Sequence, residues 1–302
     1  MNVVFMGTPE YASEILSGLI AEPTINVVAV YTQPDKPVGR KKILTPSSVK
    51  SVALQNNIEV YQPKRLREEE AISDFLEIAC DYVVVAAYGQ ILPKEILEHA
   101  PCINLHASIL PQYRGASPIQ QTLLNGDSHT GVTAMLMEEG LDTGDILKIN
   151  RCEVDSEMMA EELFEQLTFM AKGLTLDVLS NFESYTPQKQ NEKDATHCKK
   201  ITKLDGEVAF EDAAIIFNKY RAFTPWPGVY LKNGLKLKKI AFEKSGSHQE
   251  GGKIVAIDKD SIVVNCKEDS LRIYTVQPFS KKEMDVISYI NGKRLTLEDN
   301  FS

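Results

Sequence analysis

The 302-residue chain has a single tryptophan, only five cysteines, and no apolar run approaching the roughly 20 residues that cross a bilayer. A membrane-spanning helix is therefore not expected. Cys80, Cys102, Cys152, Cys198 and Cys266 are odd in number and never spaced Cys-x-x-Cys. That excludes a fully paired disulfide framework and the familiar paired-cysteine zinc spacings, and favours reduced thiols in a cytoplasmic protein. His197 and Cys198 are adjacent, but no spaced second pair accompanies them. The N-terminus enters a strand-like run at once, without the basic segment of a signal peptide, and points to the same compartment. Gly7-Thr-Pro-Glu10 departs from Gly-x-Gly-x-x-Gly, and a Walker A sequence is absent. Neither NAD nor ATP is expected.

What is present is ordinary for a globular protein: 43% hydrophobic and 25% charged residues, with length for two domains. The net charge of −9 is unevenly spread. From Asp205 onward there are 15 Lys+Arg against 14 Asp+Glu, leaving 18 against 28 for the residues before it. The body is acidic and the tail near neutral, with Lys232, Lys236, Lys238 and Lys239 clustered. Such a cluster is a solvated face, or a set of phosphate contacts on an otherwise acidic protein.

The first two-thirds alternates strand and helix patterns. Strands are expected over 2–6, 27–31, 59–61, 82–87 and 102–106, and helices over 10–19, 46–55, 68–78 and 94–99. This alternation predicts a parallel sheet covered by helices, with ligands beyond the carboxyl ends of the strands. Met159, Leu163, Leu167, Met170, Leu174 and Leu179 form a packing stripe on a helix over 156–180. Residues 185–204 are polar without an apolar period and read as a linker. Beyond them, a helix over 213–222 precedes short strands at 229–231, 235–242, 252–257, 261–265 and 271–276, a pattern that suits a small β-barrel. Trp226, held between Pro225 and Pro227, reads as a core anchor in preference to a surface for nucleobase stacking.

The candidate chemistry centres on Cys102-Ile-Asn-Leu-His-Ala-Ser-Ile-Leu-Pro111. Asn104 and His106 alternate along a strand and so project to one face, just before a Pro- and Gly-containing loop. A carboxylate follows in Gly140-Leu-Asp-Thr-Gly144. Asn, His and Asp together can supply an oxyanion donor, a proton carrier and a partner that orients it. Asp142 is equally a natural turn former, and Asp145 is a nearby competitor. Arg114-Gly115 is a candidate anion site. Gly39-Arg-Lys-Lys42, between Pro37 and Pro46, is a cationic loop able to grip phosphates.

Asn-x-His, Ser-Ile-Leu-Pro and the distant Leu-Asp-Thr-Gly resemble the folate-dependent formyltransferases. Phe5-Met-Gly-Thr-Pro-Glu10, Gln33-Pro-Asp-Lys-Pro37, Gly39-Arg-Lys-Lys42, Ala87-Tyr-Gly-Gln-Ile-Leu-Pro93 and Arg221-Ala-Phe-Thr-Pro-Trp-Pro-Gly228 extend the likeness, in order, to the methionyl-tRNA formyltransferase family over nearly the whole chain. The resemblance implies a Rossmann-like formyltransferase domain over 1–184, the linker at 185–204, and an OB-fold-like tRNA-binding β-barrel domain over 205–302. It implies 10-formyltetrahydrofolate as formyl donor and methionyl-initiator tRNA as acceptor, in translation initiation. Asn104 and His106 would stabilise the tetrahedral intermediate, with Asp142 supporting the imidazole. Folate would be held by Ser108, Ile109, Leu110 and Pro111 and by Gly89, Gln90, Ile91 and Leu92, with 137–141 completing the pterin pocket. Arg40, Lys41 and Lys42 would read the tRNA end, Lys41 standing where the family commonly has a second glycine. No metal, no membrane and a monomeric state are expected. A sugar-nucleotide formyltransferase, or a non-catalytic nucleic-acid-binding protein, is the alternative reading.

Overall fold

The structure, a computed structural model, describes residues 1–39 and 41–301. The chain divides into two compact units. The first comprises Met1–Pro118, His129–Val154 and Leu163–Lys199; the second comprises Ile119–Ser128, Asp155–Glu162 and the chain from Lys200 onward.

In the first unit the strands are β1 (Asn2–Gly7), β2 (Asn26–Tyr31), β3 (Lys36–Val38), β4 (Ile43–Thr45), β5 (Val60–Tyr61), β6 (Tyr82–Ala86), β7 (Cys102–His106), β8 (Arg114–Gly115), β9 (His129–Leu136), β10 (Ile146–Glu153) and β11 (His197–Cys198). Seven of them form one sheet in the order β10-β9-β7-β6-β1-β2-β5. The β5, β2, β1, β6 and β7 pairings are parallel, and β9 and β10 add antiparallel to β7. The expected mostly parallel α/β architecture is what is found. Val3, Val4, Phe5 and Met6 are fully buried, as a strand covered on both faces requires. β6 and β7 share a register in which Val85 lies opposite Asn104. Their carboxyl ends, and the loops that follow, are therefore neighbours.

Gly7 closes β1 where the chain turns into the helix Glu10–Ala21. A Cβ there would lie 2.5 Å from Ala12 Cβ and 2.9 Å from the Ala86 carbonyl oxygen. Close packing, not phosphate binding, thus accounts for this glycine. Thr8 beyond it donates to the Tyr88 carbonyl (3.1 Å), to which the Gln33 amide also donates (3.3 Å), so the loops after β1, β2 and β6 are tied together.

The expected strands and helices of this unit recur with small shifts at their ends. The long helix runs over Ala160–Ser180, four residues later than its apolar stripe suggests. Asp155 accepts from the Glu157 N–H (2.8 Å) and Glu162 from the Met159 N–H (2.7 Å), and these side-chain bonds hold 155–159 in a turn. Residues 36–45, read as a loop, form the β3/β4 hairpin, with Val38 opposite Ile43. The 185–204 stretch is ordered up to Lys199 against the first unit: Gln188 pairs with Ile146, and β11 pairs with β8.

The second unit is β-rich. Its sheet includes Val229–Leu231, Lys236–Ser247, Ile254–Ile257, Ile262–Asn265 and Glu268–Gln277, close to the expected strands. Helix Ala213–Phe223 packs on it, capped by Asp212, whose side chain accepts from the Ile215 N–H (3.1 Å). A further helix, Val286–Lys293, starts at Asp285 with the same kind of cap (2.7 Å to the Ser288 N–H). One reading of the Arg221–Gly228 motif changes. Trp226 is 61% exposed, whereas Arg221 and Phe223 are 3% and 1% exposed. Trp226 is therefore not a core anchor; Phe223 takes that place. Arg221 is tolerated inside because its guanidinium donates to the Asp155 and Met158 carbonyls (both 3.3 Å) and to Asn218 (2.7 Å). Among the described residues no helix is long and apolar enough to cross a membrane.

Gly7→Ala should lower the stability of the first unit by about 1–3 kcal/mol, the usual cost of forcing an extra carbon into a close-packed contact. Urea unfolding followed by a probe in that unit would show it. An unchanged midpoint would remove the close-packing account of Gly7.

Candidate active site

β7 presents Asn104 and His106 at its carboxyl end, 9% and 7% exposed. Antiparallel pairing with β9 places Asn104 opposite Met135 and His106 opposite Thr133. The chain then leaves β9, forms the 137–145 loop and returns as β10, which carries Asp142 back over β7. The Asp142 Oδ2 lies 3.7 Å from His106 Nδ1, and Oδ1 accepts from the Asn104 amide at 3.4 Å. The same Oδ2 accepts from the Gly115 N–H at 2.8 Å. Asp142 sits at φ +54°, in the left-handed region, where Asp is among the better tolerated side chains. Gly144 is required beside it, because a Cβ there would collide with the Leu136 carbonyl. Asp142 is thus both turn residue and carboxylate partner. Asp145 lends its carbonyl to the Leu136 N–H (2.9 Å).

His106 Nε2 lies 2.8 Å from the Tyr113 carbonyl oxygen. A carbonyl only accepts, so Nε2 carries the hydrogen. Nδ1 is left as the nitrogen able to exchange a proton, and when charged it faces the Asp142 carboxylate. The 3.7 Å separation is longer than a hydrogen bond. An N–H at Nδ1 therefore stays free to donate to an oxygen of a bound molecule. Asn104 similarly has a second amide N–H beyond the one directed at Asp142. Two donors and a carboxylate converge at one strand end, an arrangement able to stabilise an oxyanion and move a proton.

The Ser108–Pro111 segment is closed by its own bonds. Ser108 is fully buried and its hydroxyl donates to the Gln112 carbonyl (2.5 Å). Thr133 donates to the Ser108 carbonyl (2.7 Å) and accepts from the Leu110 N–H (3.1 Å). Leu110 is buried, and Ile109 and Pro111 are partly exposed. In the loop after β6, Leu92 is buried in a cluster with Tyr88 and Cys102 against which Met137 packs. Gly89 is exposed at φ +81°, and Ile91 is 76% exposed. The Gln90 side chain is committed to backbone, accepting from the Leu66 N–H (2.7 Å) and donating to the Pro63 carbonyl (3.0 Å).

One expectation changes here, and one residue is new. Arg114 is not an open anion site: it is 2% exposed and donates to Gln190 and to the Glu192 carboxylate. Gln190, missed by the sequence reading because it sits in a polar stretch, donates to the carbonyls of Asp142 and Gly144, both at 2.8 Å.

Lys41 and Lys42 lie at the exposed tip of the β3/β4 hairpin, closed by a turn bond from the Lys42 N–H to the Gly39 carbonyl (3.2 Å). Arg40 lies outside the described residues. The root of the hairpin is anchored by Asp35, which accepts from Lys50 (2.8 Å) and Gln62 (2.8 Å). These bonds hold the Asp35 carboxyl below its usual value. The anchor therefore persists above that lowered value and is lost only as the pH falls through it. Among the described residues, no group of three or more His, Cys, Asp or Glu side chains is arranged to hold a metal ion.

Cys198 is a thiol at the edge of the site. It accepts from the Ser117 N–H (3.3 Å) and donates to the same Tyr113 carbonyl that His106 uses (3.3 Å). Burial, with a smaller push from Asp142, raises its pKa above the ordinary thiol value, so little thiolate exists at neutral pH. Cys198→Ser should leave turnover nearly unchanged, and iodoacetamide should not inactivate the protein at pH 7. Loss of turnover in the serine variant would make Cys198 a nucleophile and displace the oxyanion reading.

Comparison with known proteins identifies the family. A formyl transferase family model matches residues 1–179, and a formyl transferase C-terminal domain model matches 200–294. A methionyl-tRNA formyltransferase from Sulfurimonas denitrificans is 63% identical over 302 residues, covering 100% of both chains. One from a Nitratiruptor species is 54% identical over 100% of both chains. Among solved structures, a sugar 3N-formyl transferase, crystallised in the presence of dTDP and 5-N-formyl-THF, superposes with TM-score 0.68 over 93% of this chain and 99% of that one. At 18% identity it speaks to the fold. With a catalytic-domain model covering more than half its length and full-length relatives this similar, the chain belongs to the methionyl-tRNA formyltransferase family.

Proposed function

We propose that the chain transfers the formyl group of 10-formyltetrahydrofolate to the amino group of methionyl-initiator tRNA, acting as a cytoplasmic monomer in translation initiation. The convergence of Asn104, His106 and Asp142 at the end of β7 carries this reading. It is supported by full-length identity of 63% to a methionyl-tRNA formyltransferase.

The acceptor amine attacks the formyl carbon, and the carbonyl oxygen becomes an oxyanion. The free Asn104 N–H and the Nδ1–H of a charged His106 donate to that oxygen, while Asp142 stabilises the imidazolium. The amine loses its proton to Asp142, directly or through water. The oxyanion then collapses to the new formyl carbonyl, the bond from carbon to the folate nitrogen breaks, and that nitrogen takes up the proton Asp142 received. Folate lies along the strand ends, against Ser108, Ile109, Leu110 and Pro111 and against Gly89, Gln90, Ile91 and Leu92. The closed bonding of Ser108 and Gln90 makes these two residues shapers of the pocket, so direct donors to the pterin come from backbone and neighbouring atoms. Arg40, Lys41 and Lys42 grip the tRNA end, Lys41 and Lys42 from the hairpin tip. The second unit, chiefly its part from Asp205 onward, holds the tRNA body. In that unit, exposed Trp226 is next to Pro225, which with Lys236 and Lys238 lines a small pocket; an exposed indole beside lysines suits stacking and phosphate contacts.

The test is an assay with 10-formyltetrahydrofolate and either charged initiator tRNA or an aminosugar nucleotide. Formyl transfer to the sugar alone would overturn the reading. His106→Ala should lower kcat by at least about 10²-fold, and Asn104→Ala comparably, with folate binding retained. Asp142→Asn should lower kcat at unchanged thermal stability; the reverse pattern would reduce Asp142 to a turn residue.

A separate set of measurements addresses the acceptor. Arg40→Ala should raise KM for tRNA and lower kcat, because a misplaced acceptor end moves the amine from the formyl carbon. tRNA binding should weaken steeply with salt. Unchanged tRNA kinetics in the Arg40 variant at physiological salt would return this loop to a solvated charge run.

A further inference from the structure

Asp142 sits at φ +54°, a left-handed angle that Asp tolerates but that the surrounding chain must hold. The constraint is traceable. Gln190 Nε2 donates to the Asp142 carbonyl and to the Gly144 carbonyl, both at 2.8 Å. These bonds use both hydrogens of the amide, so its oxygen must face the other way. There it accepts from Arg114 Nε (3.0 Å) and Nη2 (2.9 Å). The rest of the guanidinium grips Glu192 bidentately, Nη1 to Oε2 at 3.0 Å and Nη2 to Oε1 at 2.7 Å. A guanidinium has no acceptor, so this arrangement forbids the flipped amide. The Arg114 backbone is fixed in turn, its N–H donating to the Thr196 carbonyl (2.9 Å) and β8 pairing with β11. The next residue, Gly115, supplies the N–H that holds the Asp142 carboxylate.

We propose that Arg114 and Gln190 are positioning residues for Asp142. The buried guanidinium orients the Gln190 amide, and that amide holds the 137–145 loop so that the carboxylate faces His106 Nδ1. The polar stretch after Tyr185 is then a strap across the site as well as a connection to the second unit. This inference rests on the catalytic reading of Asp142 given above, but part of its test does not.

The informative variant is Gln190→Leu, which keeps the volume and removes both donors. Hydrogen exchange of the amides in 137–145 should accelerate in it, whatever the activity. In the formylation assay kcat should fall between about tenfold and 10²-fold, with KM for folate and tRNA nearly unchanged. In an Asp142→Ala background the same substitution should cause little further loss in kcat, because the residue acts through Asp142. Arg114→Lys, which retains the charge but not the fork, should give a smaller loss with the same dependence on Asp142, and it serves if the leucine variant does not fold. Unchanged exchange in 137–145, a loss confined to KM, or losses that multiply in the double variant would each overturn the proposal. A wild-type protein inactive in formyl transfer would instead count against the functional reading, and the exchange measurement would still decide this one.

Discussion

The carboxylate of Asp142 is the point on which the site depends. It is 11% exposed, accepts from Gly115 and Asn104, and faces His106. A charge so nearly buried is tolerable only while these partners are present, since hydrogen bonds to a charged group contribute about 1.5–3 kcal/mol each. The carboxylate comes from the loop after β9, and its partners from two other pieces of chain, the end of β7 and the turn at β8. Each is positioned by the sheet or by pairing with the 188–198 stretch. A shift in any of these pieces would leave a carboxylate without a donor, and that cost couples the geometry of the site to the stability of the unit.

The division between rigid frame and working edge follows from burial. β1, β6 and β7 are buried along nearly their whole length, so their carboxyl ends are fixed relative to one another. The loops that leave those ends are bonded to each other through Thr8, Gln33 and Tyr88, and Gln90 extends the tie to Pro63 and Leu66. The β3/β4 hairpin has the opposite character. Its tip is exposed and cationic, while its root is pinned by Asp35, Lys50 and Gln62. A pinned root with a free tip suits a device that reaches toward a large ligand without disturbing the frame.

Arg114 and Trp226 show why residue type is a poor guide to location. An arginine at 2% exposure is stable inside because Gln190 and Glu192 accept its hydrogens. Glu192 remains mostly exposed, so only one of the two charges loses its water. The lone tryptophan is 61% exposed because the core of its motif is filled by Phe223 and Ala222. Hydrophobicity ranks residues by average behaviour; the partners available at a given position are set by chain that lies far away in sequence.

The sequence alone determined the alternating strands and helices, the strand that carries Asn104 and His106 in phase, and the β-rich tail. All of these are written in local periodicity and in turn residues such as Gly7 and Gly144. The family was legible because its motifs sit in short contiguous runs. Tertiary structure decided the rest. It brought Asp142 to His106 across 36 positions of sequence, paired the β3/β4 hairpin, and drew Gln190 and Glu192 from a polar stretch onto Arg114. None of these has a local signature. A hydrogen bond between residues 76 positions apart, as for Arg114 and Gln190, is specified by the path of the whole chain, and no window of sequence contains both of its ends.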